Sequence, residues 1–215
     1  MEPIDIRSAN AILDHLTYIS PKRHLLYVTD ANVDSDGGFS PSHIFEHLTC
    51  FLPGVLALGV ATLPDMPPTH MWAAQGLAQT CWTLYADSPT GLSPDEVIIS
   101  TGSADPQWDG LWATHLARWE QSGSRGDPPG LRLAEPVLDA NQREYHPTKP
   151  DYLLRPETVE SFYLLWRITG DVVWRERGWA VFEAVLNETH VEDSGFACIK
   201  DVYRVGGPKL DEMPR

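Results

Sequence analysis

The feature that most constrains the fold is a pair of helical stretches set back to back near the C-terminal end. Apolar residues recur at helical spacing from Arg155 to Thr169, and Gly170 stops the run. Asp171 then opens a second helical stretch that reaches Leu186. So short a link predicts two antiparallel helices packed side by side. The same signal recurs upstream. Residues 8–19 read as a helix on Ala11, Ile12, Leu16 and Ile19, and Thr69 to Asp87 as another, rich in Ala, Leu and Trp. Ser42 to Val60 is a strongly apolar helix candidate that Pro53-Gly54 should kink or break. Short extended pieces lie between: His24 to Thr29, the turn-then-strand of GLSPDEVIIST from Gly91, and a hairpin strand from Gly195 to Val202. There is no βαβ alternation, no Gly-rich phosphate loop and no helical repeat of fixed length, so a mainly α fold is expected.

Residues 102–150 break this pattern. Gly, Pro, Ser and charges dominate around one helix candidate, WDGLWATHLARWE, and the stretch reads as a long insertion between packed elements or as a mobile loop. The segment DANVDSDGG sets Asn32, Asp34, Asp36 and Gly37 like the start of an EF-hand loop. Its twelfth position falls on His43 where a bidentate Glu is needed, so a polar turn is the better reading.

A net charge of −14 argues against nucleic acid, whose phosphates demand Lys and Arg. It suits a neutral sugar, a cation site built from carboxylates, or simply an acidic surface. Eight Trp residues can fill a core or stack on sugar rings. No run of 18 apolar residues is present, so no segment of this sequence spans a membrane as a helix. The opening MEPIDIRSANAILDHL does not read as a signal peptide, which leaves a cytosolic chain or a targeting segment outside this sequence. The three cysteines, Cys50, Cys81 and Cys198, allow one disulfide plus a thiol, and their spacing alone does not pair them.

The stretch with the most chemistry is Tyr152-Leu153-Leu154-Arg155-Pro156-Glu157-Thr158-Val159-Glu160-Ser161. Pro156 suits the first helical position, where its missing N–H costs nothing. Glu157 then lies in the first turn, where the positive end of the helix dipole favours a carboxylate. An ionised carboxylate accepts a proton from water, which suits a general base. Glu160, three residues on, shares the same helix face, and Arg155 precedes both. Read on spacing alone, the pattern also fits routine helix N-terminal chemistry.

LLRPETVES resembles the signature of glycoside hydrolase family 47, the class I α-1,2-mannosidases. HLTCFLPGVLALG, ETVESFYLLWRITGD, GLSPDEV and the closing KLDEM resemble further segments of that family in the same order. The resemblance covers nearly the whole chain apart from residues 102–145. It implies a fold that is part of an (α/α)7 barrel with short β hairpins, incomplete here, so that residues 1–215 form a partial catalytic domain with an irregular insertion near 102–150. Helix faces that lost their barrel neighbours should then show as exposed apolar patches along the first or last helices.

The same resemblance implies inverting hydrolysis of α-1,2-linked mannose in high-mannose N-glycans, with Ca²⁺ as cofactor, in the endoplasmic reticulum or Golgi. It makes Glu157 the general base, with Arg155, His47 and Glu46 at the sugar. Glu46 stands where the endoplasmic-reticulum type often has Asp, and Leu52-Pro53-Gly54 leans toward that type. Glu160, and Glu157 more weakly, would hold the calcium's water shell. Cys50 and Cys81 would form the family's disulfide, leaving Cys198 outside it. The sequon Asn187-Glu188-Thr189 would then be usable for N-glycosylation. The family's acid, its second catalytic carboxylate in a D-S-x-Y-E-Y-L motif and its calcium-binding threonine in an N-T-E-A-H segment fall outside this sequence. The expectation is therefore a mannosidase fragment inactive by itself. A non-catalytic glycan-binding or decoy protein is the alternative, and a helical toroid of another glycosidase family a more distant one.

Overall fold

The computed structural model describes residues 4–33, 35–103 and 109–210. Asp34, Trp108 and Asp211 to Met213, which belong to segments read above, lie outside them. Helix α1 (Ile4–His15) leads into an antiparallel pair, β1 (Thr17–Ile19) with β2 (Leu26–Val28), and then a hairpin, β3 (Ala31–Val33) with β4 (Phe39–Pro41). Strand β5 (Ile44–Glu46) and a 3-10 turn (His47–Phe51) precede α2 (Leu52–Thr62) and α3 (Pro68–Ala86). Strand β6 (Glu96–Ile99), α4 (Trp112–Gln121) and β7 (Tyr145–Lys149) follow. The last helices are α5 (Glu157–Thr169) and α6 (Val172–Thr189). Two small antiparallel pairs close the chain: β8 (His190–Val191) with β9 (Gly195–Phe196), and β10 (Cys198–Ile199) with β11 (Lys209–Leu210). The protein is mainly helical with short antiparallel strands, and among the described residues the helices do not close into a barrel. No helix of the described residues is long and apolar enough to cross a membrane.

Helix ends follow their sequence signals. Gly170 caps α5 in the left-handed conformation, at φ 73°, which costs glycine little. The Asp171 side chain accepts from the Val173 amide at 3.1 Å and starts α6. Pro156 sits one residue earlier than expected, at the N-cap, so Glu157 is the first helical residue.

Three expectations are corrected. The helix read over residues 8–19 ends at His15, because Thr17, Tyr18 and Ile19 pair with Val28, Tyr27 and Leu26. The helix read from Ser42 to Val60 is a strand, a 3-10 turn and then a helix, with Pro53 in the first turn of α2, where it disturbs nothing. An apolar run satisfies strand and helix patterns alike, and pairing of Ile44, Phe45 and Glu46 with β6 decides it. Within residues 102–150 a strand was missed: β7 completes the sheet β5-β6-β7. Pro147 hides it, and a proline is tolerated there because β7 is an edge strand.

One core joins α2, α3, α5 and α6 around Leu56, Leu77, Phe162, Leu165 and Trp174. A second lies under the sheet, around Tyr27, Phe45, Val97 and Tyr145, with Cys50 and Cys81 within it. Those cysteines form a disulfide with Cα atoms 6.0 Å apart, tying the 3-10 turn to α3, while Cys198 is buried elsewhere in β10. Some helix faces remain uncovered. Trp179, Phe182 and Leu186 form an exposed stripe on α6, the last helix described, and Phe51 of the 3-10 turn with Val55 and Leu58 of α2 forms another.

Helices α2 and α5 meet at a glycine. A Cβ on Gly54 would lie 2.9 Å from Leu164 Cδ1, 3.0 Å from Ser161 Oγ and 3.2 Å from the Ser161 Cα, part of the α5 backbone. We expect Gly54→Ala to push α5 away and to destabilise the fold by about 1–3 kcal/mol in urea unfolding, although alanine is the better helix former.

Candidate active site

The candidate site gathers where α5 begins. Leu154 has φ 58°, a left-handed turn that a leucine adopts only at a cost, and the chain enters α5 directly after it. Arg155 follows and pairs through Nη1 with the Asp95 carboxylate from the loop before β6. Both groups are largely buried. Asp95 is fixed in turn by its backbone: its amide faces the Lys149 and Asp151 carbonyls at 3.0 and 2.9 Å, and its carbonyl accepts from the His47 amide at 2.8 Å. Burial pushes the Asp95 carboxyl above its ordinary range, and Arg155 pulls the other way.

Glu157 opens α5 and is half-buried, with Oε2 enclosed and without a hydrogen-bond partner among the described residues. Glu160 is one turn on and exposed. Below them His47 is buried, its Nε2 2.6 Å from the Tyr85 hydroxyl and 3.2 Å from the Thr158 hydroxyl. Tyr152 packs edge-on against His47, ring centroids 6.0 Å apart. Burial, reinforced by the Arg155 charge, lowers the His47 pKa to about 4, so the ring is neutral at pH 7. Burial pushes the Tyr152 hydroxyl up to about 12, with the Glu157 charge adding to it.

The residues read from sequence are therefore not equivalent in position. Arg155, Glu157 and His47 gather around the start of α5. Glu46 is exposed at the end of β5, opposite Glu96 in the register and next in sequence to His47. Missed by the sequence reading were Asp95, Tyr85, Thr158 and Tyr152 as the partners that orient this group. Asp95 lies inside the GLSPDEV segment, and its acidic side chain 60 residues from Arg155 was the one signal present.

Calcium takes six to eight oxygens. The enclosed Glu157 Oε2 is a donor atom awaiting a partner, yet only Glu160 stands near it in sequence, and among the described residues no group of three or more His, Cys, Asp or Glu converges to hold a metal. These residues do not make a calcium site unaided.

The profile of the family described as glycosyl hydrolase family 47 matches residues 6–214. A mannosyl-oligosaccharide 1,2-alpha-mannosidase of Arabidopsis thaliana is 31% identical over 222 residues, covering 97% of this chain and 32% of the relative. The endoplasmic reticulum mannosyl-oligosaccharide 1,2-alpha-mannosidase of Homo sapiens is 31% identical over 197 residues, covering 92% of this chain and 22% of the relative. An alpha-1,2-mannosidase from Trichoderma reesei shares the fold with a TM-score of 0.67 at 22% identity, over 96% of this chain and 37% of that one. The chain thus spans 32% and 22% of the length of these two curated relatives.

The buried imidazole makes stability pH-dependent. In the unfolded chain His47 takes up a proton below its ordinary 6.5, whereas the folded protein resists until about 4. Between those values the unfolded state binds more protons, so stability is full above pH 6.5 and falls as the pH drops toward 4. The loss from this one group is about 3 kcal/mol. Chemical denaturation at stepped pH should show that slope, and His47→Gln should flatten it.

Proposed function

The chain belongs to glycosyl hydrolase family 47, and we propose that it carries the base-bearing part of an inverting α-1,2-mannosidase site. The observation that carries this reading is the enclosed Glu157 Oε2 at the first turn of α5, without a hydrogen-bond partner among the described residues and two residues after the Arg155 that pairs with Asp95. In this reading residues 1–215 are part of one catalytic domain, with residues 102–150 its irregular insertion.

Glu157 takes a proton from water as the water oxygen bonds to the anomeric carbon. The glycosidic C–O bond breaks on the opposite face, and the departing oxygen receives a proton from an acid. The product is β-mannose and a shortened glycan. Glu157 lies in the first turn of α5, at the positive end of the helix dipole. Arg155, held by Asp95, orients a sugar hydroxyl or the Glu157 carboxylate. Glu46 meets the sugar from the β5 edge. His47 supports the floor from beneath, through Thr158. Glu160, and Glu157 more weakly, would hold water around a Ca²⁺ ion, and no step here is routed through it. The substrates are high-mannose N-glycans, and the location is the secretory pathway, endoplasmic reticulum or Golgi.

No residue of this chain is assigned as the acid. General acid catalysis supplies roughly 10²–10⁴-fold, so we expect the chain by itself to fall at least about a hundredfold short of a complete family member. The test is purified chain with α-1,2-mannobiose and Ca²⁺, followed by proton NMR, which separates the two mannose anomers. β-Mannose release at a complete enzyme's rate, abolished by Glu157→Gln, would overturn the inactivity while supporting the base. α-Mannose as first product would overturn the inverting assignment. Saturable binding with no turnover in any form of the protein is the behaviour of a glycan-binding relative.

A secretory location has its own readout. Asn187 is exposed near the end of α6, so a glycan there meets no steric obstacle. Thr189 of the same sequon is buried, its hydroxyl donating to the Val185 carbonyl at 2.7 Å, so attachment has to precede folding. Mass spectrometry of the chain made in a eukaryotic host should find Asn187 modified, and an unmodified Asn187 would count against the location.

A further inference from the structure

A cavity of about 240 Å³ lies between the β1–β2 turn and residues 132–135. Lys22, Arg23 and His24 line it from the turn, and Arg132, Leu133 and Glu135 from the other side. Its charge runs against the rest of the molecule. Asp and Glu outnumber Lys and Arg by 30 to 16 in the chain. Two other clefts carry Asp14 and Glu120, or Asp30 and Glu46, with no lysine or arginine in their lining. Here three basic side chains and an imidazole meet one carboxylate.

The walls are fixed before anything binds. Glu144 accepts from the Lys22 and Arg23 amides at 2.7 Å each. Arg23 is committed to the buried Asp87 at 2.6 Å, and its Nη2 donates to the Glu135 carbonyl at 2.8 Å, which ties the two walls together. Lys22, His24 and Arg132 are exposed, and among the described residues their side chains form no ion pair or hydrogen bond. Two full charges thus stand over a preorganised hollow without a partner. His24 has φ 57°, so the turn holds an imidazole in a left-handed backbone that glycine would adopt more easily.

This lining repels a metal cation, and a neutral ligand gains nothing from its charges. An oxyanion does. Arg132 offers a planar fork of N–H donors, Lys22 a compact ammonium and His24 a ring nitrogen. A tetrahedral phosphate presents oxygens to all three, whereas a carboxylate presents only two. The volume is more than a bare ion fills and less than a drug-sized ligand needs, which leaves space for a few carbon atoms beside the exposed Leu133. We infer that this cavity binds a phosphate group, free or as the monoester of a small molecule, through Arg132, Lys22 and His24. Glu135 is the one lining group that weakens the binding. The cavity shares no residue with the start of α5, so it stands or falls apart from the mannosidase reading.

The test is ¹⁵N NMR titration of the full chain at pH 8, where phosphate monoesters are dianions. Inorganic phosphate and glycerol 1-phosphate are compared with sodium chloride and sodium acetate at matched ionic strength. We expect saturable shifts at 22–24 and 132–135 with the two phosphates alone. Arg132→Ala and Lys22→Ala should each weaken binding about tenfold. Glu135→Gln should tighten it about threefold, because a repelling charge goes while the backbone carbonyl that holds Arg23 stays. All three side chains are exposed, so the variants should fold as the parent does. Tighter binding of glycerol 1-phosphate identifies a monoester as the ligand, and equal or weaker binding identifies the free ion. The same shifts with chloride or acetate, shifts that never saturate, no shift at these residues, or unchanged affinity in all three variants would overturn the site.

Discussion

The Ser161 hydroxyl is the contact on which the position of the candidate site depends. It donates to the Cys50 carbonyl at 2.5 Å and accepts from the Gly54 amide at 2.9 Å. A helix interior rarely offers its backbone to a neighbour. Here the passage from 3-10 turn to α2 leaves a carbonyl and an amide to be satisfied, and one small hydroxyl from α5 satisfies both. Glycine at 54 allows the approach that this bridge needs. The disulfide fixes the other side of the same turn to α3. Because Ser161 lies one turn beyond Glu157 and Thr158, locking it also sets where the α5 terminus points. His47, at the start of that 3-10 turn, is brought under Thr158 by the same contact.

The electrostatics follow from this packing. A buried imidazole beside an arginine is held neutral, so the floor beneath Glu157 adds no positive charge. Positive charge there comes from the partial charge of the helix terminus, with Arg155 two residues earlier in the sequence. Arg155 is itself committed to Asp95. Glu157 Oε2 is thus left without a hydrogen-bond partner among the described residues, where a structural salt bridge would occupy it.

Local features were legible in the sequence, and long-range ones were not. Gly170 and Asp171 marked the junction of α5 and α6 because caps act within a few residues. Helix α3 was legible within one residue at either end. The nine-residue string around Glu157 carried the family, and the pairing of Cys50 with Cys81 came with it. What the sequence hid depends on partners far along the chain. Strand β5 has an apolar pattern that suits a helix equally, and only β6, some fifty residues on, decides between them. Arg155 and Asp95 are 60 residues apart, and Thr158 and His47 are 111 apart. No periodicity encodes such pairs. The burial of His47 was equally hidden, since its neighbours in sequence, Glu46 and Leu48, are both exposed.

The segment 102–150 looked detachable from its composition, and the buried carboxylates that fasten it, Glu144 within it and Asp87 outside it, argue otherwise. Glu144 accepts from the Ser20 hydroxyl at 2.5 Å and from the Lys22 and Arg23 amides at 2.7 Å each. Asp87, fully buried at the end of α3, accepts from Arg23, from the Val137 amide at 2.7 Å and from the Tyr145 hydroxyl at 3.0 Å. Arg143 donates to the Asp87 carbonyl at 2.9 Å and lies over the Tyr203 ring. An ionised carboxylate taken out of water is costly unless fully hydrogen-bonded, so networks of this kind hold or fail as units. This one fastens residues 137–145 to α3 and to the β1–β2 turn. Strand β7 begins within it, at Tyr145, and β7 pairs with β6, which pairs with β5. The exposed end of β5 is Glu46, and the next residue is His47. The polar, proline-rich stretch that seems least structured in the sequence is in this way one of the supports of the site at the start of α5.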